Sequence, residues 1–283
     1  MARLIHLSDL HFGAHDPVIV EAVERRIDEE RPDLVVISGD FTQRARTEQF
    51  KEACRFLERL SAAGHEVLAV PGNHDVPLYD VLRRFLSPLT RYKRYVSDVL
   101  CPFIEVPGAS VLGINTARSA TFKGGRINEE QIAFIRDTFA KTTPDNVRVL
   151  VTHHPLFAQP VGEGLEPASA VENDELALSA IAEAGVDLLL AGHNHRAWTI
   201  ASELAKGAGR ALVIQAGTAT STRVREEGQS FNLIVLGKTE VEVTLEQWDG
   251  SRFVRGSAQR FARSGQHWEL AGGEPVAEAA TNG

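Results

Sequence analysis

Aspartate, asparagine and histidine recur in five short clusters: Ser8-Asp9-Leu10-His11, Gly39-Asp40, Gly72-Asn73-His74-Asp75, Thr152-His153-His154-Pro155 and Gly192-His193-Asn194-His195. Carboxylate and carbonyl oxygens beside imidazole nitrogens suit a metal site of mixed nitrogen and oxygen ligands. In extended backbone, residues two apart point to the same side. Asp9 and His11 are therefore expected to grip one ion together. On the same geometry His193 and His195 stand about 6–7 Å apart, within reach of two ions about 3.5–4 Å apart. Asp40 is the natural bridge, because one carboxylate can give an oxygen to each ion, while Asn73 adds a neutral carbonyl oxygen. Two divalent ions bring four positive charges, of which Asp9, Asp40 and a bridging hydroxide remove three. The centre stays net positive for an anionic phosphate.

The clusters stand just past short apolar, β-branched runs. Leu4–Leu7, Leu34–Ile37, Val67–Val70, Val111–Ile114, Val149–Thr152 and Leu188–Leu190 read as buried strands. Helical patterns lie between several of them. Pro17–Glu30 follows an Asp16-Pro17 start, and Thr47–Leu60 places Phe50, Ala53, Leu57 and Leu60 on one face. Asn128–Phe139 and Asp174–Ala184 are similar. Such alternation implies βαβ units and a largely parallel α/β sheet, whose carboxyl ends are where ligands bind. After Trp198, Ala211–Gln215, Phe231–Leu236, Glu240–Glu246 and Arg252–Phe261 read as antiparallel strands that form a second sheet or extend the first. With no glycine- or serine-rich linker, residues 1–265 are expected to make one domain, with 271–283 a flexible tail.

The chain has 283 residues, is 43% hydrophobic and carries a formal net charge of −8, an ordinary balance for a globular protein and an unfavourable one for binding nucleic acid. No segment approaches the roughly 18 apolar residues of a membrane span. The two cysteines, Cys54 and Cys101, read as reduced thiols of a cytoplasmic protein. Arg83-Arg84, Arg91-Tyr92-Lys93-Arg94, Arg223 and Arg225 read as solvated cations before binding sites.

In order and spacing the five clusters resemble the D-x-H, G-D, G-N-H-D/E, H and G-H-x-H pattern of the calcineurin-like metallophosphoesterase superfamily. Gly72 to Pro77, His153-His154-Pro155 and the compact C-terminal β region are most similar to its bacterial class III cyclic-nucleotide and small-molecule phosphodiesterases. The resemblance implies a four-layer α-β-β-α sandwich with two mixed sheets. It implies two metal ions, drawn from manganese, iron, zinc or cobalt. Asp9, His11, Asp40 and His195 would hold one ion, and Asp40, Asn73, His153 and His193 the other. His153 is preferred to His154 because it comes first off its strand, which leaves His154 behind the ligands or against substrate. A metal-bridging hydroxide would attack phosphorus in line, and His74 would protonate the leaving oxygen, work suited to a residue type that titrates near neutrality.

The expected substrate is a small-molecule phosphodiester, 3′,5′-cyclic AMP among the candidates. A monoester or protein phosphatase, a nuclease and a non-catalytic interaction module of the same superfamily are the alternatives, and a homo-oligomer is allowed. Asp75 is expected to orient a histidine or cap the following segment. His15 is read as a candidate for the substrate cleft, and His6 as a core residue or one that supports the metal ligands from behind. Residues 78–103 and 116–127 are the expected cap. From it Tyr79, Tyr92 and Tyr95 would stack on a base or pack inward, and Arg118, Lys123 and Arg126 would approach the phosphate.

Overall fold

The computed structural model describes residues 1–119, 124–156, 174–200, 211–222, 228–265 and 267–273. Lys123, Arg223, Arg225 and the end of the tail lie outside the described residues.

The first half is built as the apolar periodicity requires. β1 (Ala2–Leu7), β2 (Leu34–Ser38) and β3 (Val67–Val70) pair in parallel, with α1 (Pro17–Glu30) and α2 (Thr47–Ala62) as the crossovers. Asp16 starts α1 by accepting the Val18 N–H at 2.9 Å, and Pro17, which has no N–H to satisfy, occupies the first turn. α3 (Val81–Leu86) and α4 (Thr90–Tyr95) follow as two short helices. β4 (Phe103–Val106) then forms a hairpin with β5 (Ala109–Gly113). Neither short helix nor β4 is legible as a regular element in the sequence of the cap.

β5 pairs in parallel with β6 (Val147–Val151), and β6 with β7 (Leu188–Ala191). α5 (Glu129–Phe139) and α6 (Asp174–Glu183) cover this second sheet. The C-terminal strands divide between the sheets. β8 (Trp198–Ile200) and β9 (Leu212–Gln215) join the second, β9 lying parallel to β7 rather than in an antiparallel run. β10 (Ser230–Leu236), β11 (Glu240–Trp248), β12 (Phe253–Ser264) and β13 (His267–Gly272) extend the first, β10 pairing antiparallel with β1. β13 stands where the sequence shows no strand, and it reaches into the segment expected to be tail.

Alternation within each strand divides the apolar residues among three cores. Ile5, Ile37 and Phe231 face α1 and α2. Leu4, Val36, Val149 and Leu190 meet between the sheets. Leu112, Leu150 and Leu189 face α5 and α6. Three cores make four layers, α-β-β-α, held by side chains worth about 1.5–3 kcal/mol each when fully buried. Among the described residues no helix is long and apolar enough to cross a membrane, and both cysteines are free.

Candidate metal centre

The carboxyl ends of β1, β2, β3, β6 and β7 meet at one rim of the two sheets, and all five clusters leave from there. The backbone is not extended at these positions, contrary to the expected geometry. Asp9, His11, Asp40, His193 and His195 all have positive φ, between 48° and 75°. Left-handed backbone is strained for residues with a Cβ, at roughly 1–3 kcal/mol each. It turns each side chain off its strand direction toward a common point. Asp9 with His11, and His193 with His195, are thus brought together by tight turns.

Cross-bonding holds these turns. Asp9 N–H donates to Gly39 O at 3.1 Å and His11 N–H to Asp40 O at 2.9 Å, which ties the first cluster to the second. Gly192 N–H donates to His153 O at 3.0 Å and His193 N–H to Asp9 Oδ2 at 2.9 Å. Two glycines make room for this packing. A Cβ on Gly72 would strike the Asp40 carboxylate, and one on Gly192 would strike Ser8 Oγ.

The donor atoms form two groups. In the first, Asp9 Oδ1 lies 3.1 Å from His195 Nε2 and 3.5 Å from His11 Nε2, and the two imidazole nitrogens are 3.1 Å apart. In the second, Asn73 Oδ1 lies 3.0 Å from both His153 Nε2 and His193 Nδ1. Asp40 Oδ2 stands between the groups, 3.8 Å from His11 Nε2 and 3.4 Å from His153 Nε2. Its Oδ1 instead accepts the His74 backbone N–H at 2.8 Å. A single oxygen of Asp40 therefore faces both groups, where one oxygen for each ion was expected.

These contacts are poor hydrogen bonds and good ligand sets. His153 Nδ1 lies 2.7 Å from Ser38 O, and a carbonyl only accepts, so Nδ1 keeps its proton and Nε2 is the nitrogen that presents a lone pair in the neutral ring, the form that binds a cation. That lone pair faces the lone pairs of Asn73 Oδ1. Asp9 Oδ1 is buried and meets no donor in hydrogen-bonding geometry among the described residues. Acceptors crowded on acceptors are costly in a dry site. Two bonds of about 2.0–2.1 Å to one cation would put donor atoms roughly 3.0–3.5 Å apart, which is the observed spacing within each group.

Without cations the electrostatics are polarised. Burial would raise the Asp9 carboxyl, but His11, His195 and His153 hold it well below the usual range. Asp40 is likewise lowered by His153 and His74 against the effect of burial. Burial opposes protonation of His153, yet Asp40 and Asp9 push it up to about 9. His193 falls to about 4 through burial and the neighbouring His153.

The structure settles several surroundings. His74 Nδ1 donates to Gln43 O at 2.8 Å, and its ring stands edge-on to His11 with centroids 4.9 Å apart. His154 is buried, its Nδ1 lies 2.7 Å from the Thr116 hydroxyl, and its ring centroid is 4.8 Å from that of His193. Among the described residues the Asp75 carboxylate bonds no histidine side chain and does not cap the segment after it. It accepts from Phe41 N, Thr42 N, Thr42 Oγ1 and Gly72 N at 2.9–3.2 Å, clamping the Asp40 loop to the Asn73 loop. Burial, and then the charge of Asp40, raise its pKa to about 6. His15 accepts the Gly13 N–H through Nδ1 and lines a groove between α1 and α2 with Glu21 and Glu52, a groove whose lining includes none of the donor residues.

The cap residues are also redistributed. Tyr92 is fully buried against Phe41, and Tyr95 stacks on Phe50, so packing claims both; only Tyr79 is exposed. Arg118 is committed to Asn115 O, Ala117 O and Gln131, while Arg126 is exposed. Two supports escaped sequence reading. Thr218 and Thr220 donate from their hydroxyls to Asp9 O and Leu10 O at 2.8 and 2.7 Å, bracing the first cluster from the loop after β9. Ser38 carries His153 on its carbonyl. A lone serine or threonine with no metal-ligand chemistry gives no signal in sequence.

Comparison with known proteins places this geometry in a family. The calcineurin-like phosphoesterase profile matches residues 2–197. A glycerophosphodiester phosphodiesterase, GpdQ, of Enterobacter lignolyticus is 24% identical over 204 residues, 68% of this chain and 70% of that protein. A probable cyclic nucleotide phosphodiesterase of Rhodococcus erythropolis is 24% identical over 207 residues, 69% of this chain and 65% of its own length. A dimetal phosphatase from Danio rerio superimposes with a TM-score of 0.61 at 14% identity, covering 86% of this chain and 95% of that one, a likeness of fold. With its profile spanning all five clusters, the chain belongs to the calcineurin-like phosphoesterase family.

Proposed function

We propose that this protein is a dinuclear metal phosphodiesterase acting on small molecules, with 3′,5′-cyclic AMP among the diesters it cleaves. The observation that carries the reading is the pair of donor groups sharing Asp40 Oδ2. Asp9, His11, Asp40 and His195 would hold one ion, and Asp40, Asn73, His153 and His193 the other. When bound, two such ions supply positive charge for the phosphoryl oxygens and acidify water at neutral pH. The chain's own residues do the rest. Asn73, being neutral, keeps the centre net positive. Ser38 O fixes the tautomer of His153, and Thr116 holds the ring of His154 beside those of His153 and His193.

His74 is the proton donor in this reading. With Nδ1–H tied to Gln43 O, Nε2 is the nitrogen that gives its proton to the leaving oxygen, the ring passing from imidazolium to neutral imidazole. The preference for diesters rests on charge: a diester carries one negative charge near neutrality, and Arg118 is committed elsewhere. The relatives named glycerophosphodiester and cyclic nucleotide phosphodiesterase support the same class.

The test is steady-state kinetics on metal-reconstituted enzyme with p-nitrophenyl phosphate, its bis-ester and cyclic AMP. A higher kcat/KM for the bis-ester than for the monoester is expected, with cyclic AMP turned over. A monoester preference overturns the diesterase reading, and full activity after exhaustive chelation overturns the metal centre.

A further inference from the structure

Between the Val76 turn and the cap lies an open cleft of about 390 Å³ that none of the roles above uses. Val76, Leu89 and Ala117 form its buried wall, while Leu86, 75% exposed, and Thr90 stand at its mouth. Lys93 and Arg118 bring the charges in its lining. Arg118 is spent on backbone carbonyls and Gln131. Lys93 is exposed and makes no ion pair among the described residues.

Two residues of its lining are close chain neighbours of the candidate metal centre. Val76 follows the Asn73–Asp75 turn directly, so its Cα lies no more than about 11 Å from that of Asn73, three virtual bonds of roughly 3.8 Å. Asn115 precedes Thr116, whose hydroxyl contacts His154. A mostly apolar cavity of a few hundred Å³ with one or two placed polar groups is the usual form of a small-molecule site, and an exposed leucine at its rim extends the apolar surface outward.

We propose that this cavity is the subsite for the non-leaving alcohol of the diester, and that it selects an apolar body ending in an anion. The apolar body lies against Val76, Leu89 and Ala117, and the terminal anion pairs with Lys93. The inference rests on the phosphodiesterase reading above.

Two probes separate the subsite from the chemistry. The first is binding of anilinonaphthalene sulfonate, an apolar body with one fixed anion, to metal-free protein by calorimetry. One saturable site is expected, weakened at least tenfold by Thr90→Trp, which fills the mouth, and severalfold by Lys93→Gln. The second is hydrolysis of methyl and hexyl p-nitrophenyl phosphates by the metal-loaded enzyme, which share a leaving group and differ only in the spectator alcohol. The hexyl ester should have the higher kcat/KM by about tenfold or more, as burying methylenes allows. Leu86→Glu and Thr90→Trp should erase that preference while leaving the methyl ester within about twofold. Equal rates for the two esters, or equal losses in the variants, overturn the subsite. If the sulfonate binds and the variants weaken it while neither ester is hydrolysed, the cavity binds an apolar anion but the phosphodiesterase reading, and with it the alcohol subsite, falls.

Discussion

Asp40 Oδ1 accepts the backbone N–H of His74 at 2.8 Å, so the residue proposed to bridge the metals also positions the residue proposed to donate a proton. The bond orients the carboxylate with Oδ2 toward His11 and His153. It also starts the turn that carries the His74 ring onto Gln43 O. Damage to either residue should reach the other through this contact.

Asp40→Ala should remove both metals and all measurable hydrolysis. It deletes the one oxygen common to the two donor groups and leaves Asp9 as the one carboxylate beside His11 and His153. Metal content by plasma mass spectrometry and activity on bis(p-nitrophenyl) phosphate check this together. Retention of two ions per chain would rule out the shared role of Oδ2.

His74→Ala should keep both metals and lower turnover by about 10²–10⁴-fold, the scale of general acid–base catalysis. The loss should shrink for p-nitrophenolate, which departs without a proton, and grow for alkoxide leaving groups. Losses that do not depend on the leaving group would assign His74 to holding phosphate instead.

Asp75→Ala should destabilise the fold by about 3–4 kcal/mol. It strands three backbone N–H groups in a buried site, each costing at least about 1 kcal/mol when unsatisfied, while the Thr42 hydroxyl keeps His74 O as an acceptor. Because the clamp joins the Asp40 and Asn73 loops, metal affinity should fall with it. Urea denaturation and a metal titration measure the two effects, and an unchanged midpoint would remove Asp75 from this role.

His6 gives a prediction for pH. It is buried in β1 with Nε2 2.9 Å from Ser38 Oγ, and burial lowers its pKa to about 3 against the opposing charge of Asp9. The unfolded histidine takes up a proton near pH 6.5, while the native one stays neutral. The native state therefore loses stability as pH falls from about 6.5 to about 3. His6→Asn should flatten the dependence of unfolding free energy on pH in metal-free protein by up to one proton, about 1.4 kcal/mol per pH unit. The buried His154 and His193 are depressed in the same sense, so the comparison is between variant and wild type. Identical slopes would show that His6 does not titrate on unfolding.

The sequence by itself determined the residue types at the centre and the strands that end beside them. Asp9, His11, Asp40, Asn73, His153, His193 and His195 are identifiable because metal ligands are confined to a few side chains. β1 to β3 and β5 to β7 are identifiable because a buried parallel strand must be a short apolar run. Glycine before Asp40, Asn73 and His193 was visible too, though the contacts that a Cβ on Gly72 or Gly192 would make were not. What only the tertiary structure decided is how donors 186 positions apart in the chain, from Asp9 to His195, face one another. Local geometry predicted extended pairs, and the turns are left-handed instead, because cross-bonds between loops from different strands outweigh the strain of positive φ. Asp75, Thr218 and Thr220 take their roles from partners far away in sequence, and hydrogen-bond partners across a fold leave no periodicity to read. The fate of Tyr92 and Tyr95 was decided in the same way, since an aromatic ring in a polar segment can cover a ligand or fill a core. Phe41 and Phe50, which claim those two rings, come from loops and helices that the sequence could not place beside them.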